Sequence, residues 1–299
     1  MYDRVLVPLD GSTLSERALA PALALVTKPS GEVMLLRALL AEAMLVRGIE
    51  GVDPYVESWA VERRDADRKE SAEYLAALQN ANRRDDLALH TRVVEGDVSE
   101  AILLAAQAAD LIVMSTHGYS GLTRWVLGSV TERVLSAAPC PVLVVRQSQP
   151  MHKVLIALDG SDLSETAIAP GIEAAVRLGC KASLLRVVDE ITGFERAQLG
   201  LGDTDIANRL QEGLMKEAQT YLGSLVLPAL QESHREVVVG SAAHTILDYA
   251  QAHEIDLIVM ATHGRTGLSK WVYGSVTEKV LRGAHCNMLV VRPAAHRLR

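Results

Sequence analysis

Two patterns of apolar and polar residues follow one another along the whole chain. Short apolar runs suit strands that are buried on both faces of a sheet, whereas longer amphipathic stretches suit helices. Their alternation predicts a parallel sheet covered by helices. In the first half the pattern predicts strands at residues 4–9, 32–39, 87–94, 111–115 and 142–146, joined by helices at residues 14–26, 55–81, 98–109 and 130–137.

The second half of the chain repeats both this order of elements and much of the sequence. The segment RVLVPLDGS, which begins at Arg4, returns as KVLIALDGS, which begins at Lys153. Residues 117–135 match residues 263–281 at thirteen of nineteen positions. Ordered similarity of this extent indicates two copies of one α/β unit in a single chain.

A short polar stretch with a proline, QSQPM at residues 147–151, separates the two copies. We therefore predict one domain at residues 1–147 and another at residues 151–299, each of ordinary domain size. The fold class is α/β, with two tandem doubly wound, Rossmann-like domains, each built on a five-stranded parallel sheet flanked by helices. In such sheets a ligand lies beyond the carboxyl ends of the strands where the strand order reverses, which here means strands one and four.

Composition narrows the class of protein further. The net charge is −7 and no basic stripe is present, so a nucleic-acid partner is not expected. Three cysteines, Cys140, Cys180 and Cys286, form neither an even disulfide set nor a CxxC metal motif, which is typical of a reducing compartment. No leader is visible, and no apolar stretch approaches the roughly 20 residues of a membrane span. We therefore expect a cytoplasmic protein without a membrane partner.

The best-repeated segment is a glycine-bearing loop after strand four. In the first half Ser115 and Gly118 are followed, after nine further residues, by Gly128 and Ser129. Gly118 permits positive φ and close approach to a ligand, and Gly128 precedes a helix start, whose N–H groups and partial positive charge suit phosphate oxygens. A glycine turn before a helix is also common scaffolding, so the residues alone leave both interpretations open. The second half has the same spacing at Ala261, Gly264, Gly274 and Ser275.

Several helix starts have the spacing of a capping box, in which a polar residue is followed three positions later by Glu. The pattern predicts side-chain caps from the first residue of each pair, and it offers the hydroxyls of Ser129, Thr131, Ser275 and Thr277 as further donors to a ligand. The pairs are Thr13 with Glu16, Asp162 with Glu165, Ser129 with Glu132, and Ser275 with Glu278.

The loop resembles the ATP-binding signature of universal stress proteins, Gly-x2-Gly-x9-Gly-Ser/Thr, and the resemblance covers nearly the whole chain twice. The second and third glycines and the hydroxyl residue of this signature are present in both halves. Its first glycine is Ser115 in one half and Ala261 in the other, a departure that bears on nucleotide affinity. The resemblance implies that ATP, with magnesium carried by its phosphates, lies on the loop and the following helix start, without a resident metal site.

The resemblance also implies a matched set of contacts in each half. The aspartate after strand one would face the ribose or the phosphate-bound metal, and the residue at the end of strand two would line the adenine pocket. From the residues alone, the aspartates are equally turn-forming residues and the strand-two residues ordinary core. The set in the first half is Pro8, Leu9, Asp10, Ala38, Met114, Ser115, His117, Gly118, Gly128, Ser129, Val130 and Thr131. The set in the second half is Ala157, Leu158, Asp159, Val187, Met260, Ala261, His263, Gly264, Gly274, Ser275, Val276 and Thr277.

Three classes of function stay open at this stage. The leading one is an ATP-binding regulatory or stress-response module, without catalytic residues. A weak ATPase is the second, although the sequence has no GxxxxGK[ST] loop, no kinase signature set and no dedicated base beside the glycine loop. A nucleotide-free dimeric scaffold is the third, because the departures at Ser115 and Ala261 allow it. The resemblance further implies that the two halves pack as a pseudo-dimer and that two chains form a homodimer.

Overall fold

The computed structural model describes residues 2–26, 31–40, 54–115, 127–191, 204–227, 233–262 and 274–292. The chain divides into two compact units, Met1–Ser148 and Gln149–Arg299. No helix in the described parts is long and apolar enough to cross a membrane.

The described residues of the first unit form five strands and five α-helices, with one 3-10 turn at Ala106–Ala108. The strands are β1 (Arg4–Pro8), β2 (Glu32–Leu39), β3 (Ala88–Glu95), β4 (Leu111–Ser115) and β5 (Val142–Val145). The helices are α1 (Thr13–Glu16), α2 (Leu19–Leu25), α3 (Pro54–Ala81), α4 (Val98–Ala105) and α5 (Ser129–Ala137).

The second unit repeats this order. Its strands are β6 (Lys153–Leu158), β7 (Lys181–Val188), β8 (His234–Val239), β9 (Leu257–Ala261) and β10 (Asn287–Val291). Its helices in the described residues are α6 (Asp162–Glu165), α7 (Ile168–Leu178), α8 (Thr204–Ser224), α9 (Ala242–Ala252) and α10 (Ser275–Gly283).

The strands of each unit form a parallel sheet with the order expected of a doubly wound fold. The first sheet runs β3-β2-β1-β4-β5 and the second runs β8-β7-β6-β9-β10. The chain moves outward from the first strand to the third and then returns to the other side of the first strand. Strand order therefore reverses between the first and fourth strands, which confirms the predicted fold class and locates the crevice.

The core of each unit is centred on the strands that border this reversal. All residues of β5 and all but the last of β4 are buried, as are Val5, Leu6 and Val7 in β1. Burial of each Val, Leu or Ile side chain contributes about 1.5–3 kcal/mol to the free energy of folding relative to exposure, so these strands stabilise the unit. The edge strand β3 is exposed along much of its length.

The helix predicted at residues 14–26 is divided into α1 and α2. Pro21 lies near the start of α2 and has no backbone N–H, so a continuous helix would lose a hydrogen bond there. The second unit shows the same break between α6 and α7, with Pro170 in the corresponding position. The prediction of one continuous helix was therefore wrong in the first unit, because it followed the apolar pattern and not the missing donor.

Substitutions at two glycines of the second unit test the backbone geometry of its helices. Gly179 caps the end of α7 at φ 66°, in the left-handed region, whereas Gly213 lies inside α8, and no atom lies within 4 Å of a Cβ built at either residue. We expect Gly179→Ala to lower the free energy of unfolding by about 1 kcal/mol. Gly213→Ala should raise it by up to about 1 kcal/mol, because alanine favours the helix interior. Urea denaturation followed by circular dichroism measures both, and shifts of the same sign would contradict the assignment.

Candidate functional site

Each unit has a short hydrogen-bonded loop where its first strand ends. In the first unit Oδ1 of Asp10 accepts hydrogen bonds from the Ser12 N–H at 2.9 Å and from the Ser12 hydroxyl at 2.6 Å. Oγ of Ser12 accepts in turn from the Ser15 N–H at 3.1 Å and caps α1. Gly11 between them has φ 85°, which favours glycine. These bonds hold the Asp10 carboxylate at the carboxyl end of β1.

The loop of the second unit has the same hydrogen bonds. Oδ1 of Asp159 accepts from the Ser161 N–H at 2.9 Å and from the Ser161 hydroxyl at 2.5 Å, and Oγ of Ser161 accepts from the Ser164 N–H at 3.1 Å. The caps predicted at Thr13 and Asp162 were therefore wrong by one residue. An N-cap residue needs extended backbone so that its side chain can turn back onto the first turn, and Ser161 has φ −83° and ψ 151°.

These hydrogen bonds also set the charge of the loop. Burial by itself would raise the pKa of Asp159, but the hydrogen bonds from the hydroxyl and N–H of Ser161 outweigh it and hold the pKa below its ordinary value. Asp159 therefore carries a negative charge at neutral pH. A fixed carboxylate in this place can accept hydrogen bonds from sugar hydroxyls or bind a metal ion.

The second part of the site is the start of α5 in the first unit and of α10 in the second. Gly128 is the N-cap of α5, with φ −63° and ψ 146°, and no side chain forms a cap hydrogen bond there. Gly274 has the same place in α10, also without a side-chain cap. The caps predicted at Ser129 and Ser275 were wrong, because both serines lie in the first helical turn. The first-turn N–H groups of each helix are therefore left without a side-chain acceptor of the capping kind.

A buried threonine ties each of these helix starts to the fourth strand. Oγ1 of Thr131 donates to the Ser115 carbonyl oxygen at 3.2 Å, and Oγ1 of Thr277 donates to the Ala261 carbonyl oxygen at 3.0 Å. The sequence suggested both hydroxyls as donors to a ligand, but here they position the helix against the strand. The exposed hydroxyl residues at these helix starts are Ser129 and Ser275.

Most of the other predicted site residues that the structure describes lie at the carboxyl ends of the central strands. Leu6 pairs with Ile112 in parallel, so three residues further on Leu9 is level with Ser115. The buried residues at these ends are Leu9, Met114, Ala157, Leu158 and Met260, and the half-buried ones are Pro8, Ala38, Ser115, Val187 and Ala261. Val130 and Val276 are also half-buried, but they are the second residues of the helices α5 and α10. The predicted residues His117, Gly118, His263 and Gly264 lie outside the described ranges.

Sequence analysis missed an arginine that lies beside the first loop of each unit. The Arg37 guanidinium lies 5.2 Å from the centre of the Tyr74 ring, and the Arg186 guanidinium lies 5.0 Å from that of Tyr221. A Cβ placed on Gly160 would come within 3.0 Å of Arg186 Nη1, so the arginine packs against the loop. The repeat could have revealed these arginines. Each one follows the loop aspartate of its unit by the same number of residues along the chain.

Each tyrosine of these pairs lies near a glutamate of the first short helix of its unit. The Tyr74 hydroxyl donates to Oε1 of Glu16 at 2.9 Å, and burial together with this carboxylate raises the pKa of Tyr74. Burial and the nearby Glu165 carboxylate raise the pKa of Tyr221 to about 12. Both phenols are therefore neutral at physiological pH, and each arginine is stacked on an uncharged ring.

Two doubly wound units, each with a fixed carboxylate after its first strand and a glycine-capped helix after its fourth, define a class of α/β protein with paired candidate sites. The sequence model of the universal stress protein family matches residues 1–146 and again residues 150–292. The chain therefore belongs to the universal stress protein family and contains its domain twice.

The similarity to individual relatives extends over most of the chain or over about half of it. A universal stress protein of Mycobacterium tuberculosis is 27% identical over 246 residues, which is 80% of this chain and 81% of that protein. A universal stress protein of Methanocaldococcus jannaschii is 33% identical over 153 residues, 50% of this chain and 87% of that protein. The crystal structure of a universal stress protein from Archaeoglobus fulgidus has a TM-score of 0.64 at 19% identity and covers 98% of this chain and 99% of that one, which shows the shared fold.

The hydrogen bonds around Asp159 predict how Ser161→Ala changes stability with pH. Because the folded pKa of Asp159 lies below its unfolded value, these bonds stabilise the fold above about pH 4 and lose this effect as the pH falls through the folded pKa. We expect the variant to lose about 1 kcal/mol at pH 7 and less at about pH 2.5. Ser241→Ala is the control, because Ser241 is an N-cap without a side-chain hydrogen bond. Denaturation at several pH values measures the difference, and an equal loss at both ends would contradict the assignment.

Proposed function

We propose that this chain is an ATP-binding universal stress protein, a regulatory module whose phosphate sites are the starts of α5 and α10. One observation carries the proposal: in both units, a helix start without a side-chain cap is held at the carboxyl end of the fourth strand. This is where strand order reverses, the usual place for a ligand in a doubly wound sheet.

The helix start suits phosphate on electrostatic grounds. The first four N–H groups of an α-helix lack partners in the helix, and the helix dipole places about half a positive charge at this end. Neither Gly128 nor Gly274 has a side chain that could occupy these donors. The adjacent Ser129 and Ser275 side chains are exposed and can add a hydroxyl donor each. An anionic ligand therefore gains hydrogen bonds without displacing a side-chain cap.

The loop aspartates suit the sugar and the metal ion of a nucleotide. Ser12 and Ser161 each bind Oδ1 of the neighbouring aspartate and so fix the direction of its carboxylate. Among the described residues no three His, Cys, Asp or Glu side chains gather to hold a metal ion. A magnesium ion in this place would therefore take most of its ligands from phosphate oxygens and water, as magnesium commonly does.

The ends of the second and fourth strands suit the base. Ala38 and Val187 are small apolar residues near the carboxyl ends of β2 and β7, and each pairs with a valine of the edge strand. Met114 and Met260 are buried one residue before the ends of β4 and β9. These apolar side chains give an adenine ring a surface on which to pack. Ser115 and Ala261 are also small residues.

The first measurement is the nucleotide content of the purified protein. We expect ATP to be released on denaturation at up to two equivalents per chain, measured by chromatography and mass spectrometry, or to bind saturably in a titration with magnesium. Release of ADP in its place would favour slow hydrolysis. Absence of binding at millimolar ATP would overturn the proposal and leave the nucleotide-free scaffold.

A change at the helix start tests the location of the phosphates. Gly128 has backbone angles that other residues adopt, and Asp and Asn are both favoured at an N-cap, so neither variant should lose thermal stability. Gly128→Asp should weaken ATP binding at the first unit by about tenfold to a hundredfold, because its carboxylate occupies the N–H groups and repels phosphate.

Gly128→Asn is the matched control for charge and should weaken binding less. The double variant Gly128→Asp with Gly274→Asp should remove high-affinity binding altogether. Calorimetric titration gives the affinity and the number of sites for each protein. Unchanged ATP affinity in a folded double variant would show that the phosphates lie elsewhere.

A further inference from the structure

The first unit has an open groove between its edge strand β3 and helix α4. Its volume is about 650 Å³, within the range of small-molecule sites. Val94 lines it from the strand, and Ala101, Leu104 and Ala105 line it from the helix. None of the residues proposed to hold the nucleotide lines this groove, so it is a separate feature of the unit.

The second unit shows what occupies the same place when the groove is closed. Tyr249 is the eighth residue of α9, as Ala105 is of α4, and it is only 7% exposed. Its hydroxyl donates to Oε2 of Glu236 on the edge strand β8 at 2.9 Å. A phenol ring therefore fills the space between edge strand and helix, and its polar end is bound by a residue of the strand.

The strand residue that binds this phenol also differs between the units. Arg37 pairs with Val93 and Arg186 with Val237, so the preceding residues, Arg92 and Glu236, are equivalent. The first unit therefore lacks the ring and presents a guanidinium where the second unit presents a carboxylate.

A third difference makes the groove of the first unit apolar at its outer edge. Leu104 precedes Ala105 and is 73% exposed, whereas the equivalent residue before Tyr249 is the charged Asp248. An exposed leucine beside a groove offers apolar surface that a ligand can cover. The three differences therefore act together at this place: the ring is absent, a guanidinium replaces the Glu236 carboxylate, and a leucine replaces the charged Asp248.

The charges around the groove leave Arg92 as the group available to a ligand. Arg133 binds two of the lining carboxylates, Asp97 at 3.0 Å and Glu100 at 3.3 Å. A third, Glu95, lies 3.5 Å from Arg68. Within the described ranges Arg92 has no ion pair. A guanidinium without a partner beside an apolar groove suits a planar carboxylate, which it can bind through two parallel hydrogen bonds.

We propose that this groove binds a small aromatic carboxylate. The aromatic ring lies against Val94, Ala105 and Leu104, in the space that the Tyr249 ring fills in the second unit. The carboxylate of the ligand is bound by the Arg92 guanidinium, which replaces the Glu236 carboxylate of the closed unit. The site does not depend on nucleotide binding.

The test uses 4-hydroxybenzoate as the probe and the second unit as the source of the substitutions. We expect the full chain to bind one equivalent of the probe in a calorimetric titration. Ala105→Tyr fills the groove and Arg92→Glu reverses its charge, so each should weaken binding at least about tenfold. The combined variant recreates the Tyr249–Glu236 pair, so it should fold with unchanged or higher thermal stability and bind no probe.

Two controls separate this site from non-specific binding. The neutral analogue 4-hydroxybenzyl alcohol should bind at least about tenfold more weakly than the probe, because it lacks the carboxylate. Tyr249→Ala combined with Glu236→Arg opens the matching groove of the second unit and should add a second equivalent in a protein that folds. Equal probe affinity in the wild type and in Ala105→Tyr, equal binding of the alcohol, or no saturable binding up to about 10 mM probe would overturn the proposal.

Discussion

The parallel pairing of the first strand with the fourth is the contact on which the rest of each unit depends. β1 and β4 lie side by side although β2 and β3 separate them along the chain. Since crossovers between parallel strands are right-handed, the helices on either side of this reversal cover opposite faces of the sheet. The carboxyl ends of the two strands lie between these helices, and their buried apolar residues hold the two strand ends in place.

The two helices that begin near these strand ends differ in their N-caps. Ser12 caps α1 with its own side chain, whereas Gly128 begins α5 without one. The first arrangement satisfies the backbone internally and fixes the loop that carries Asp10. The second leaves the first turn of the helix without a side-chain cap, and Thr131 secures the helix by bonding to the strand and not to the helix end. The same unit thus combines one helix start that has a side-chain cap with one that has none.

The two copies share the hydrogen bonds of the loop after the first strand and differ beside the edge strand. The hydrogen bonds of Asp10 and Ser12 recur at Asp159 and Ser161 with distances that agree within 0.1 Å. At the edge of the sheet, by contrast, Ala105 in one unit corresponds to Tyr249 in the other. Ala105 lines an open groove, so the smaller side chain leaves no enclosed cavity there. One copy can therefore acquire an opening that the other lacks.

The sequence by itself determined the strands, the duplication and the end of the sheet at which the candidate site lies, because apolar runs and turn residues act locally. It was wrong about the caps at Thr13 and Ser129, since the capping residue is the one whose backbone leaves the helix, and spacing does not show which residue that is. Only the tertiary structure decided that the Thr131 hydroxyl bonds to the fourth strand, that Arg37 stacks on Tyr74, and that a groove opens beside Arg92. These features join residues far apart in the chain, and their positions depend on how strands and helices pack.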